Sequence, residues 1–241
     1  MTVYLLIFVL GLAAGCLSGV VGTGAGIILL PILVFQFGAQ EAVPIMAVAG
    51  LMGNLAKIMS WWREVDLRGF LAYSIAGAVG AAGGAMTLLV LPPNTAEAAL
   101  GILFLLIVPV RHFLAARGVK LGLVGLVISG ALISFISGIV LTSGPMSIPA
   151  FAAYGLTKGA LLSTEALSAF VVQLVKVGIF WWAGALPLAS VLKGAAVGAS
   201  IMLGAFVGKA VVQRMSARMF ERALDLMLIV AGLSMLWAAF A

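Results

Sequence analysis

The sequence predicts an all-α polytopic membrane protein made of two inverted-topology repeats, each a broken, re-entrant helical hairpin followed by three transmembrane helices. Hydropathy, an internal duplication and the placement of Lys and Arg carry this reading. Of the 241 residues, 64% are hydrophobic and 8% charged, and the mean hydropathy is +1.30. Ordinary soluble domains are about 25% charged, so this chain cannot cover its apolar surface with polar groups in water. Apolar runs of about 18 residues, the length that crosses a bilayer core, recur throughout. They are continuous rather than alternating, which excludes a closed β-barrel. No polar linker divides the chain, so residues 1–241 read as one transmembrane domain.

The duplication sets the repeats at about 1–117 and 118–241. "SGVVGTGAGIILLPILVFQFG" (Ser18 to Gly38) returns in outline as "SGIVLTSGPMSIPAFAAYG" (Ser137 to Gly155). "NLAKIMSWW" (Asn54 to Trp62) returns as "QLVKVGIFWW" (Gln173 to Trp182), at the same separation of about 119 residues. One such match in apolar helices is weak, whereas several landmarks in the same order indicate a repeat.

In order, the first half predicts a broken segment over 3–37 with its break at 22–26, then helices over 43–63, 68–90 and 97–115. The second predicts a broken segment over 121–155 with its break at 141–145, then helices over 160–183, 187–210 and 219–240. Proline-bearing turns, "LPPNTAE" (Leu91 to Glu97) and "GALPL" (Gly184 to Leu188), separate the later helices. Trp61, Trp62, Trp181 and Trp182 close their helices, as membrane-interface residues do. "QRMSARMFER" (Gln213 to Arg222) reads as a solvated loop running into the last helix.

Each broken segment of roughly 35 residues would reach about 50 Å as one helix, against about 30 Å of hydrocarbon. Basic residues test the alternative. With single crossings, Arg63, Arg68, Arg111, Arg117 and Lys120 fall on one side and Lys158, Lys209, Arg214, Arg218 and Arg222 on the other. With hairpins, all ten share one side, as the positive-inside rule requires. The hairpin reading puts the basic loops in the cytoplasm and both termini outside, in a multi-pass protein of the cell (inner) membrane. A hairpin plus three crossings inverts the second half relative to the first, a plan common to secondary transporters.

The net charge of +6 is scattered in short loops, so no nucleic-acid partner is expected. Cys16 alone makes no internal disulfide, and with His112, read as lying in a basic loop, no metal site. No cofactor is expected. "MTVYLLIFVLGLAAG" has no basic residue ahead of its apolar run and is expected to be retained rather than cleaved as a signal peptide.

"GVVGTGAGIILLPIL" (Gly19 to Leu33) and its degenerate copy "SGIVLTSGPMSIPAF" (Ser137 to Phe151) resemble the glycine-rich first-helix motif of the TauE/SafE family of membrane transporters, the sulfite and organosulfonate exporters. The resemblance extends in size, hydropathy and duplication over nearly the whole chain. It implies movement of small sulfur-containing anions such as sulfite, sulfoacetate or other organosulfonates, usually outward, with other small organic anions as the alternative. The sequence departs from the fuller glycine cluster at Ala25 and at "LTSGP" in the second copy.

A helix broken at membrane depth frees backbone N–H and C=O groups that must be enclosed by protein or face a wet cavity. Half-helices restarting after Gly26 and at Pro145 would aim N–H groups and positive dipole ends inward, where an anion could bind. The candidate substrate-binding residues are Gly22, Thr23, Gly24, Gly26, Thr142, Ser143, Gly144, Asn54, Lys57, Gln173 and Lys176. The competing reading of the glycines is close helix packing. Lys57 and Lys176 each follow an amide by three residues and share its helix face; facing the cavity and snorkelling to the interface are both open to them. Glu165 has no acidic counterpart in the first half. It is a candidate proton carrier, with Lys176 or Lys158 as pairing partners. The expected partners are the lipid bilayer and a small anion, with coupling to protons and a homo-oligomer left open. A channel, a scaffold and an intramembrane enzyme are the other classes; the last lacks a nucleophile, base or metal constellation, and no enzyme activity is expected.

Overall fold

The computed structural model describes residues 2–21, 25–117, 120–140, 144–212 and 217–240. Among these the chain forms ten α-helices: α1 Thr2–Val21, α2 Ala25–Phe37, α3 Ala39–Trp61, α4 Leu67–Val90, α5 Pro93–Arg117, α6 Leu123–Val140, α7 Gly144–Tyr154, α8 Lys158–Trp182, α9 Leu188–Val212 and α10 Ala217–Phe240. One 3-10 turn, Trp62–Glu64, follows α3. Four stretches, Ala39–Met59, Leu67–Val90, Gly159–Trp182 and Leu188–Ala205, are long and apolar enough to cross a bilayer. Large apolar side chains such as Ile75, Val79, Val90, Leu192, Leu203 and Trp237 stand exposed. In an all-helical chain of this hydropathy that belt is the lipid-facing surface.

α1 ends at Val21 and α6 at Val140, and the described chain resumes as α2 at Ala25 and α7 at Gly144, slightly earlier than the expected restarts after Gly26 and at Pro145, so Gly26 and Pro145 belong to helix. The second broken segment doubles back, because the Leu121 N–H donates to the Ala153 carbonyl at 2.9 Å and pins the entry to α6 beside the exit of α7. In the first, α1 and α2 pack against each other likewise. At 1.5 Å per residue, the 13 residues of α2 and the 11 of α7 rise only about 20 and 17 Å, roughly half to two thirds of the hydrocarbon.

Most of the later helices begin and end within three residues of expectation, except at α3 and α5. α3 starts four residues early because Gly38, at φ 75°, reverses the chain in a single left-handed residue, so the helix begins at once and Pro44 falls inside it. α5 starts at Pro93, whose missing N–H costs nothing in a first turn. Asp66 caps α4 by accepting from the Gly69 N–H at 2.7 Å, while its own N–H donates to Thr164 Oγ1 at 2.9 Å and ties this junction to α8. At the opposite end, Gln40 Nε2 donates to the Leu91 carbonyl, and Lys193 and Ser190 of α9 reach Glu41 of α3. His112, expected in a loop, lies within α5 and meets Asp225 of α10 at 2.8 Å.

The halves interlock. α4 runs alongside α6, and α1 alongside α9; α3 packs on α8 and α9, α8 on α4; α2 lies against α10 and α7 against α5. Each pairing has its counterpart with the halves exchanged. Glycines set the closest approaches. Tyr73, Gly80 and Gly84 of α4 meet Gly130, Ala131 and Phe135 of α6, in ascending order along both helices, so the two run parallel. α3 and α8 run antiparallel, Gly50 facing Gln173 and Lys57 facing Glu165. A Cβ at Gly84 would collide with the Phe135 carbonyl, whereas one at Gly178 of α8 meets nothing within 4 Å. Gly84→Val is therefore expected to cost about 2 kcal/mol or more through overpacking, seen as a lower thermal midpoint in detergent. Gly178→Ala should leave the midpoint unchanged or raise it slightly, since alanine is the better helix former.

Candidate functional site

The antiparallel α3–α8 pair forms the centre of the molecule and carries the duplicated amides and lysines. Asn54 and Gln173 are buried where the two helices cross. Gly50 makes room for the Gln173 side chain, since a Cβ there would lie 2.6 Å from its amide nitrogen. Gln173 Oε1 accepts no hydrogen bond. A buried amide oxygen without a donor costs about 1–3 kcal/mol unless water or a ligand meets it.

Lys57 and Lys176 are 6% and 0% exposed, so neither snorkels to the interface. Lys176 Nζ donates to the Ser137 carbonyl at 3.1 Å and to Ser137 Oγ at 3.0 Å. Ser137 lies in the last turn of α6. An ammonium there suits the negative dipole end of the helix. Ser137 is a serine that the duplication repeats, as Ser18 near the end of α1; the sequence reading used it as a landmark without assigning it a role.

Glu165, 2% exposed, reaches Lys57 across the two halves at 3.5 Å and accepts from Ser147 Oγ at 2.9 Å. Its ionic partner is therefore Lys57, in place of the expected Lys176 or Lys158. Lys176 lies three turns further along α8 and Lys158 two turns before, whereas the antiparallel crossing brings Lys57 opposite. Ser147 belongs to the first turn of α7, so the carboxylate sits at the start of a half-helix, where backbone N–H groups and the dipole favour negative charge. Nothing in the sequence distinguished Ser147 from a packing serine.

Further polar groups line the interior beside this pair. Ser74 Oγ of α4 and Ser168 Oγ of α8 are buried and form no hydrogen bond, and the buried Tyr73 OH of α4 and Ser134 Oγ of α6 have no partner beyond each other. Ser134 Oγ faces Gly77, one turn from Tyr73, the Tyr73 ring packs on Phe151 of α7 with centroids 4.8 Å apart, and Ser168 is one turn from Glu165. Such a concentration of buried hydroxyls marks an interior built for water or a polar ligand. Single serines in apolar helices carry no sequence signal that separates this use from packing.

Of the remaining expected site residues, Gly144 is buried at the first position of α7 and Gly26 is half-buried in the first turn of α2. Gly22, Thr23, Gly24, Thr142 and Ser143 lie outside the described residues. Trp62, Trp181 and Trp182 end their helices exposed, away from this interior.

Removing one member of a buried ion pair leaves the other charge uncompensated, at about 3–5 kcal/mol. Lys57→Met should therefore destabilise the protein by that order, and adding Glu165→Gln should recover most of the loss. Thermal unfolding of the two single variants and the double variant in detergent reads the coupling directly.

No curated protein and no solved structure gives a significant match to this sequence. A family model described as "Sulfite exporter TauE/SafE" matches residues 7–235, a span that runs from within α1 to within α10. The chain belongs to the TauE/SafE family of sulfite exporters.

Proposed function

We propose that the protein is a secondary transporter that moves small sulfur-containing anions, such as sulfite, sulfoacetate or other organosulfonates, outward across the cell (inner) membrane by alternating access. The two halves act as inverted repeats around a midplane site. The basic loops lie in the cytoplasm and both termini outside. The observation that carries this reading is the matched pair of helix breaks, each within a segment that doubles back, with a half-helix restarting at Ala25 in one half and at Gly144 in the other. Each restart presents N–H donors and a positive dipole end at membrane depth. The exchange pattern of the packing and the antiparallel α3–α8 pair support the inverted arrangement.

In this site the backbone around Gly22, Thr23, Gly24 and Gly26 and around Thr142, Ser143 and Gly144 holds the anion. Asn54 and Gln173 donate from the α3–α8 crossing, Lys57 and Lys176 supply positive potential, and Glu165 carries a coupling proton. Sulfite and sulfonates offer three oxygens, which suits several weak donors converging from different elements better than one bidentate partner.

Flux into proteoliposomes is the test. Sulfite, a small sulfonate or a small carboxylate should move at least tenfold faster than into protein-free vesicles, and the rate should saturate with concentration. No stimulation by any of the three would overturn the assignment, and a linear, non-saturating conductance would make the protein a channel. Gly144→Val, which crowds the buried start of α7, should reduce that flux about tenfold while the protein still inserts and purifies. An unchanged flux would remove the half-helix start from the site.

A further inference from the structure

We infer that Glu165 is an internal competitor of the transported anion, a carboxylate that closes on Lys57 and the start of α7 when the site is empty and is displaced, protonated, when substrate binds. This inference rests on the transporter reading above and specifies how that site exchanges its occupant.

The two Glu165 oxygens engage an ammonium on α3 and a hydroxyl in the first turn of α7. These are the donor types that a sulfonate or sulfite oxygen requires, placed at a half-helix start that favours an anion. The carboxylate is also an addition to the duplicated plan. The lysines, the amides and the serines before each break occur in both halves, yet the position 119 residues before Glu165 is Met46, a buried apolar side chain. Lys57 thus faces an acid where the matching position beside Lys176 carries a thioether, while Lys176 holds the α6 end through Ser137.

The ion pair is long. At 3.5 Å it lies outside the 2.7–2.9 Å of well-formed ammonium–carboxylate bonds, and both groups carry the cost of desolvation. An added proton or a better-placed anion can therefore open it. Among the described residues, the titratable groups nearest Glu165 are Lys57 from α3 and Tyr73 from α4, whose ring packs on Phe151 of α7. α7 presents Ser147. Glu64 of the 3-10 turn lies near Gly159, almost two turns nearer the start of α8, and Asp66 is committed to capping α4. The buried hydroxyls of Ser168, Ser134 and Tyr73 give water a polar surface along which a proton can reach the carboxylate.

The exchange balances. The carboxylate takes one proton from water to become a carboxylic acid and releases Lys57, and one anion takes its place against the ammonium. For a monoanion the loaded site has the same charge as the empty one, so anion and proton travel together one to one. On the far side the anion leaves, the proton follows, and the carboxylate recloses.

The test uses the full-length protein in proteoliposomes, with radiolabelled sulfite, sulfoacetate and methanesulfonate as probes. In wild type, a pH gradient acid on the loading side should drive accumulation. In Glu165→Gln, that accumulation should fall tenfold or more, while counterflow against preloaded unlabelled anion continues and loses its pH dependence. Accumulation that persists in Glu165→Gln overturns the inference. Should Glu165→Gln not fold, calorimetry on wild type in two buffers of different ionisation enthalpy decides the matter. Methanesulfonate carries no titrating proton of its own near neutral pH. Uptake of about one proton per anion bound supports displacement, and none overturns it. A wild type that moves none of the probes, even in counterflow, refutes the transporter reading and this inference with it; a wild type that moves them without proton uptake refutes the inference alone.

Discussion

Backbone released from a helix inside a bilayer has no water to turn to, and most of the interior of this protein answers that one constraint. Each break exposes carbonyls at the end of one helix and N–H groups at the start of the next. At the α6 end the Ser137 carbonyl is met by Lys176. At the α7 start a carboxylate stands beside Ser147. Positive charge goes to the carbonyl end and negative charge to the amide end, which is the polarity that the helix dipole favours at each.

Enclosing those ends needs close walls, and the glycine content of the partner helices provides them. α4 approaches α6 through Gly77, Gly80 and Gly84, while α9 approaches α1 at Gly11, where an added Cβ would meet the Ser200 side chain, and at Gly15 and Gly204, where it would meet backbone of the opposing helix. Without a hydrophobic drive between helices in lipid, such close approach is what dispersion forces need.

Much of this architecture was legible because its signals are long or repeated. The helix ends at Val21 and Val140 follow from two glycine-bearing interruptions at matched positions, and the doubling back follows from where ten basic residues must lie. Lys57, Lys176, Asn54 and Gln173 were found through repetition. What escaped was set by tertiary contacts between helices far apart in sequence. Glu165 and Lys57 are 108 residues apart, and no local pattern favours that pairing over Lys158 or Lys176. Ser147, Ser134 and Ser168 are single hydroxyls in apolar helices, where composition cannot tell a packing serine from a ligand. The α3 boundary was misplaced because a loop was expected over Gly38 to Val43 where a left-handed glycine, Gly38, turns the chain in one residue.

The departure from symmetry matters most at positions 46 and 165. A duplicated site with identical halves presents the same electrostatics from both faces of the membrane, and nothing in it distinguishes an empty site from a loaded one. Two buried ammonium groups would also repel one another and hold any anion tightly, which opposes release. Placing Glu165 against Lys57 while Met46 keeps the matching place apolar gives the interior an anion of its own. Under the proposed mechanism that carboxylate stabilises the unloaded state, weakens net binding by having to be displaced, and makes displacement sensitive to protons. Under the proposed mechanism, a carrier that must let its cargo go would gain more from such an internal rival than from a second positive charge left open.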